Sequence, residues 1–115
     1  MSNDKECIFC SGELQKGSIM DNKLAFAIYD KYPQTQGHVL LIPKRHSNNF
    51  FDLTAEEKVA IFELADNVKV LLDYKHGPEG YNIIANCGKA AGQVVFHTHV
   101  HLIPRYKGDG KKFMH

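Results

Sequence analysis

The sequence predicts an α+β fold, an antiparallel sheet of about five strands flanked by one long helix. Two observations predict it. Residues 54–75 carry apolar side chains near helical period behind a capping signal. The remaining apolar residues fall into short segments separated by turn residues, and strands joined by short turns pair antiparallel. The chain has 115 residues and no repeat, low-complexity tract or linker, so one domain spanning 1–115 is expected.

The elements follow in order. Residues 18–22 and 24–29 read as two short strands around an Asp21-Asn22-Lys23 turn. Lys31 to Gly37 is a loop punctuated by Pro33 and Gly37. His38 to Ile42 is a buried strand closed by Pro43, and Lys44 to Phe51 is a polar connection carrying His46. Thr54-Ala55-Glu56-Glu57 is a capping box that starts the helix. Its apolar stripe comprises Val59, Phe62, Leu64, Ala65, Val68, Leu71 and Leu72, suited to packing on a sheet, and Gly77-Pro78 stops it. Gly80 to Asn86 is a further strand, residues 87–93 form a glycine-containing loop, and a last strand runs roughly from Val95 to Pro104. His38 reads as a plain strand residue and His76 as a solvated helix end.

Net charge is +1, with 14 basic and 13 acidic residues, which gives no electrostatic case for a nucleic-acid or membrane-surface partner. The longest apolar stretches are only a few residues, too short to span a bilayer. The first residues lack the pattern of a signal peptide, and three cysteines do not make a disulfide framework, so a cytoplasmic location is expected. Cys87 reads as an inert thiol. Cys7-Ile8-Phe9-Cys10 has the spacing of a metal knuckle or a redox pair.

His97, His99 and His101 alternate strictly, so on a β-strand all three imidazoles project from one face while Thr98 and Val100 point to the other. Three readings stay open from the residues alone. The run is incidental, or it binds a metal, or one imidazole is a nucleophile whose neighbours hold its tautomer and assist at an anionic substrate. For a nucleophile the middle position is the natural choice. The preceding loop favours phosphate chemistry, because glycines at 88 and 92, beside Asn86 and Gln93, let backbone amides approach an anion. No P-loop, dinucleotide fingerprint or serine-nucleophile motif is present.

The run His97-Thr98-His99-Val100-His101-Leu102-Ile103 resembles the histidine triad (HIT) motif, His-φ-His-φ-His-φ-φ with φ apolar; Thr98 departs from it at the first φ. Gly37-His38-Val39-Leu40-Leu41-Ile42-Pro43-Lys44-Arg45-His46, Ala91-Gly92-Gln93 and the Cys-Ile-Phe-Cys unit extend the likeness over most of the chain. Residues 103–109 are similar to bacterial HIT hydrolases and their Fhit-like relatives.

The resemblance implies a HIT-like fold and an enzyme that hydrolyses or transfers a nucleotidyl group at the α-phosphate of a purine, expected to be adenosine, nucleotide conjugate. It implies His99 as nucleophile, forming a covalent nucleotidyl-histidine. His101 would hydrogen-bond the phosphate oxygens, and the His97 carbonyl would orient the attacking ring. Asn86, Gly92 and Gln93 match positions near the phosphate and leaving group, Asp30 a ribose contact, and Ile8 and Phe9 the wall of the base pocket. No catalytic cofactor is expected. Cys7, Cys10, His46 and His97 match a structural zinc set, and a homodimer is implied. Two alternatives are a metal-dependent hydrolase using the triad as ligands and a non-catalytic nucleotide-binding or scaffolding protein. Val94 departs from a serine or threonine common in related enzymes after the Gly-Gln pair, and the chain stops sooner than relatives with longer C-terminal tails. The Val94 departure leaves the leaving-group preference open.

Overall fold

Five strands form one antiparallel sheet in the computed structural model, which describes residues 7–10 and 12–109. They are β1 (Met20–Asp21), β2 (Ala25–Tyr29), β3 (Val39–Pro43), β4 (Gly80–Ile84) and β5 (Val100–Arg105), in the order β1-β2-β3-β5-β4. A short helix α1 (Gly12–Lys16), not anticipated from the sequence, precedes β1. The long helix α2 (Ala55–His76) links β3 to β4.

Alternation sorts the strand residues onto two faces. Ala25, Ala27, Val39, Leu41, Val100 and Leu102 pack against Ile61, Leu64, Val68 and Leu72 of α2. On the opposite face Phe26, Leu40 and Ile42 cluster with Phe9. Register partners Ile28, Leu40, His101 and Ile84 form a row across β2, β3, β5 and β4 on that second face.

Helix α2 begins as the sequence predicts. Thr54 accepts from the Glu57 backbone and donates its own backbone N–H to the Glu57 carboxylate, completing the capping box. Gly77 ends the helix in the left-handed conformation. The buried face is shifted from the expected stripe. Val59 and Phe62 are exposed, whereas Ala60, Ile61 and Glu57 are buried. The spacing Glu57, Ile61, Leu64, Val68, Leu72 keeps one side of the helix toward the sheet, and Val59 falls on the far side. Burial of Glu57 is offset by Arg45, whose Nε and Nη2 donate to its two oxygens at 2.9 and 2.8 Å. That hydrogen bond holds the Glu57 carboxyl below its ordinary range. The pair anchors the segment carrying His46 to the helix start.

His76 is not a solvated helix end. Its Nε2 is sealed from solvent against Gly37, where a β-carbon would lie 2.9 Å from the His76 ring. Gly37 also has φ +90°, so a side chain there is excluded twice.

Candidate active site

The open sheet face forms the floor of a cleft of about 940 Å³, within the range of small-molecule sites. Ile28, Leu40, His101 and Ile84, the row described above, all line it. Phe9, Tyr29, Asp30 and Tyr32 close the β2 side, and Asn86, Gly92 and Val94 come from the loop after β4. The side chain of Ile8 lies outside the described residues, so its expected place in the base-pocket wall is not described.

The three histidines do not share one strand face as equivalents. Regular strand begins only at Val100, so His97 and His99 precede β5 and only His101 belongs to it. The ladder stops there because the chain turns away to pair Thr98 with Ser47: the Thr98 N–H donates to the Ser47 carbonyl at 2.8 Å. His97 is fully buried and does not line the cleft; His99 and His101 do, with ring centroids 5.1 Å apart.

Backbone carbonyls set two of the tautomers. The Nδ1–H of His99 donates to the His97 carbonyl at 2.9 Å, so the lone pair of the neutral His99 ring is on Nε2. Phe9 meets that ring edge-on at 5.2 Å. The Nε2–H of His97 donates to the Pro43 carbonyl at 2.9 Å, which leaves its Nδ1 as a ligand atom. Both His97 nitrogens therefore face away from His99 and His101, and the triad rings do not make a common ligand set.

His97 Nδ1 lies 3.2 Å from the sulfurs of both Cys7 and Cys10, and Cys10 Sγ lies 3.2 Å from His46 Nδ1. All four ligand atoms fall within 4.8 Å of one another. A single lone pair on Nδ1 cannot accept well-aligned hydrogen bonds from two thiols. Two thiolates and two imidazoles around one cation use all four atoms, and the His97–Pro43 bond is the outer support that metal-bound imidazoles commonly have. The residues fit a tetrahedral Cys2His2 metal centre.

A second grouping, Asp30, His38 and His101, was missed by sequence reasoning, which left His38 as a plain strand residue. Alternation along β3 puts His38 on the face of Leu40 and Ile42, a signal usable only once the pairing is known. The Gln34 backbone N–H donates to His38 Nδ1 at 3.0 Å, so the proton of the neutral ring is on Nε2. That proton is donated to His101 Nδ1 at 3.0 Å, with Asp30 Oδ2 3.4 Å away. A cation there must displace it, which distinguishes this chain of hydrogen bonds from the cysteine site. With Nδ1 accepting, the neutral His101 carries its proton on Nε2. Burial, with His99 and His38 alongside, pushes the His101 pKa down to about 4. Burial likewise lowers that of His38 against the opposing pull of Asp30.

Two expected substrate contacts, Gln93 and Asp30, already make hydrogen bonds within the chain. Gln93 is buried and does not line the cleft. Its amide NH2 donates to the carbonyls of Asn48 and Val95, and its oxygen accepts the Gly88 N–H at 2.7 Å. Those bonds fix the loop that presents Asn86 and Gly92. Asp30 does line the cleft, but one oxygen accepts the Tyr32 N–H and the other faces His38. Val94 stands 83% exposed at the cleft wall with no polar side-chain atom to offer.

Known proteins are similar to this chain in sequence and fold. An uncharacterized HIT-like protein of Mycoplasma genitalium is 39% identical over 110 residues, covering 93% of this chain and 77% of the relative. An adenosine 5'-monophosphoramidase of Schizosaccharomyces pombe is 35% identical over 102 residues, covering 86% and 74%. The crystal structure of a zinc-bound histidine triad family protein from Mycobacterium smegmatis matches with TM-score 0.84 and 31% identity, over 96% of this chain and 83% of that one. The HIT domain family model matches residues 11–108. The chain belongs to the HIT family.

Proposed function

We propose that this chain is a nucleotide hydrolase or nucleotidyl transferase that attacks the α-phosphate of a purine nucleotide conjugate through His99. One observation carries the reading: the His97 carbonyl holds the Nδ1 proton of His99, leaving Nε2 as a nucleophile in a cleft of nucleotide size. His101 complements it. Its pKa near 4 keeps the ring neutral at physiological pH, and the hydrogen-bond chain through His38 leaves its Nε2–H to donate to phosphate oxygens.

In the first step the Nε2 lone pair attacks phosphorus, and the bond to the leaving group breaks. The leaving group departs with that electron pair and takes a proton from water. In the second step the hydroxide left by that proton transfer attacks the same phosphorus and the bond to Nε2 breaks. Nucleoside monophosphate is released and the imidazole restored. Phe9 and Tyr29 offer surfaces against which a base can stack, and Asp30 retains acceptor capacity for ribose hydroxyls. Cys7, Cys10, His46 and His97 would hold zinc, which would cross-link the N-terminal knuckle to the strands and leave the chemistry to His99. The yeast relative's phosphoramidase activity and the zinc of the mycobacterial neighbour support these readings. Pairing of two copies as a homodimer belongs to the same proposal.

A panel of AMP conjugates tests it: phosphoramidates, dinucleoside polyphosphates and nucleotide sugars. Turnover of at least one, with a nucleotidylated peptide containing His99 found by mass spectrometry after quenching, is expected. Turnover retained by His99→Ala overturns the mechanism.

A further inference from the structure

Cys7 belongs to two sites at once. Its sulfur lies 3.2 Å from His97 Nδ1 within the four-residue metal set, and the residue also lines the cleft with Phe9 and His99. Cys10 does not line the cleft; its sulfur meets the Nδ1 atoms of both His46 and His97 at 3.2 Å. Both cysteines are partly exposed. A thiol that binds a metal gives up its proton, and the thiolate is the nucleophilic form of cysteine. A metal-loaded Cys7 is therefore a nucleophile facing the space that a nucleotide would fill.

The pair is also spaced to close on itself. The Cys10 backbone N–H donates to the Cys7 carbonyl at 3.1 Å, a turn that keeps the two backbones within disulfide reach. Their sulfurs lie within 4.8 Å of each other. Cys87, the remaining cysteine, donates to the Ala85 carbonyl in the loop after β4.

We infer that Cys7 is an oxidation site through which a hydroperoxide entering the empty cleft releases the metal, and that bound nucleotide shields it. The inference rests on the zinc and nucleotide readings above. The Cys7 thiolate attacks one peroxide oxygen and the O–O bond breaks, giving a sulfenic acid and hydroxide. The Cys10 thiolate then attacks the Cys7 sulfur, the S–O bond breaks with loss of a second hydroxide, and the disulfide forms. The two thiolates lose two electrons in all, and the peroxide gains them. With both anionic ligands gone, His46 and His97 alone do not retain the ion. A nucleotide seated against Phe9 covers Cys7, so the chain keeps its cross-link while occupied and sheds it when idle under oxidant.

The test uses the reduced, zinc-loaded chain with Cys87→Ala, so that Cys7 and Cys10 are its only thiols. Hydrogen peroxide is expected to release one zinc per Cys7–Cys10 disulfide, read with a chromogenic chelator and by peptide mass spectrometry. Limiting iodoacetamide should label Cys7 ahead of Cys10. AMP at about ten times its Kd should slow both reactions about tenfold, because only about a tenth of the clefts stay empty. Label falling first on Cys10, or zinc release that bound AMP does not slow, overturns the inference. The readings beneath it fail separately. A reduced chain without zinc overturns the metal centre and this inference together. AMP that does not bind overturns the nucleotide reading and the shielding with it, while the order of labelling still decides the oxidation site.

Discussion

His97 donates its ring Nε2–H to Pro43, presents Nδ1 to two cysteine sulfurs, and accepts the His99 Nδ1–H on its backbone carbonyl at 2.9 Å. One residue thus joins the metal-type cluster to the candidate nucleophile. Removing the His99 ring should leave this scaffold intact and eliminate attack. His99→Ala is expected to lower kcat by at least about a thousandfold. In His99→Gly, added imidazole should restore part of the turnover, a rescue measurable as a saturable dependence on imidazole concentration.

Zinc content follows from the four converging ligand atoms. The purified chain should carry one zinc ion per protomer by native mass spectrometry, and Cys10→Ser should carry none. Stripping the metal should lower thermal stability by several kcal/mol, about the order expected for a cross-link that fixes an N-terminal knuckle. A metal-free chain melting at the parent temperature contradicts a structural ion.

Stability should fall in acid for a reason assignable to His101. Its folded pKa is near 4 against 6.5 for the free group, so the unfolded chain binds more protons between those values. The contribution is fully present above pH 6.5 and is lost as pH falls through 4, amounting to about 3 kcal/mol at most. Other groups titrate in the same window, so the informative quantity is the difference between parent and His101→Asn. That variant should show a shallower loss of urea-unfolding free energy from pH 7 to pH 4.5.

Gln93 should behave as a loop anchor. Gln93→Ala leaves the Gly88 N–H and the carbonyls of Asn48 and Val95 without their amide partner. A stability cost of about 2–3 kcal/mol is expected. Steady-state kinetics should show KM rising more than kcat falls, because Asn86 and Gly92 lose their placement while His99 keeps its orientation. A Gln93 that touched the transition state would show the reverse split.

The long helix and its cap were legible because the capping box and the glycine stop are local, set by residues within one turn. The strands from Ala25 to Pro43 were legible because short apolar runs and the turn residues that bound them, Asn22 among them, are also local; Asn22 Oδ1 accepts from Leu24 and Ala25. The helix face was partly misread, since Val59 and Phe62 fit an apolar pattern but α2 presents Ile61 and Leu64 to the sheet. His38 was missed for another reason. Only the antiparallel pairing of β3 with β5 brings it beside His101, and only the Gln34 N–H sets its proton.

By itself the sequence determined the α+β class, the long helix, the residues of the histidine run and the Cys7–Cys10 spacing, while His46 and His97 joined that pair only through the family resemblance. These depend on side-chain identity and near-neighbour spacing, which the chain carries without folding. Tertiary structure decided how the equally spaced histidines differ. His97 is sealed among cysteines that arrive from the other end of the chain, His99 is turned by a carbonyl, and His101 is held neutral by burial and by its neighbours. Spacing cannot separate them, because an imidazole's tautomer and charge are set by the donors, acceptors and dielectric around it.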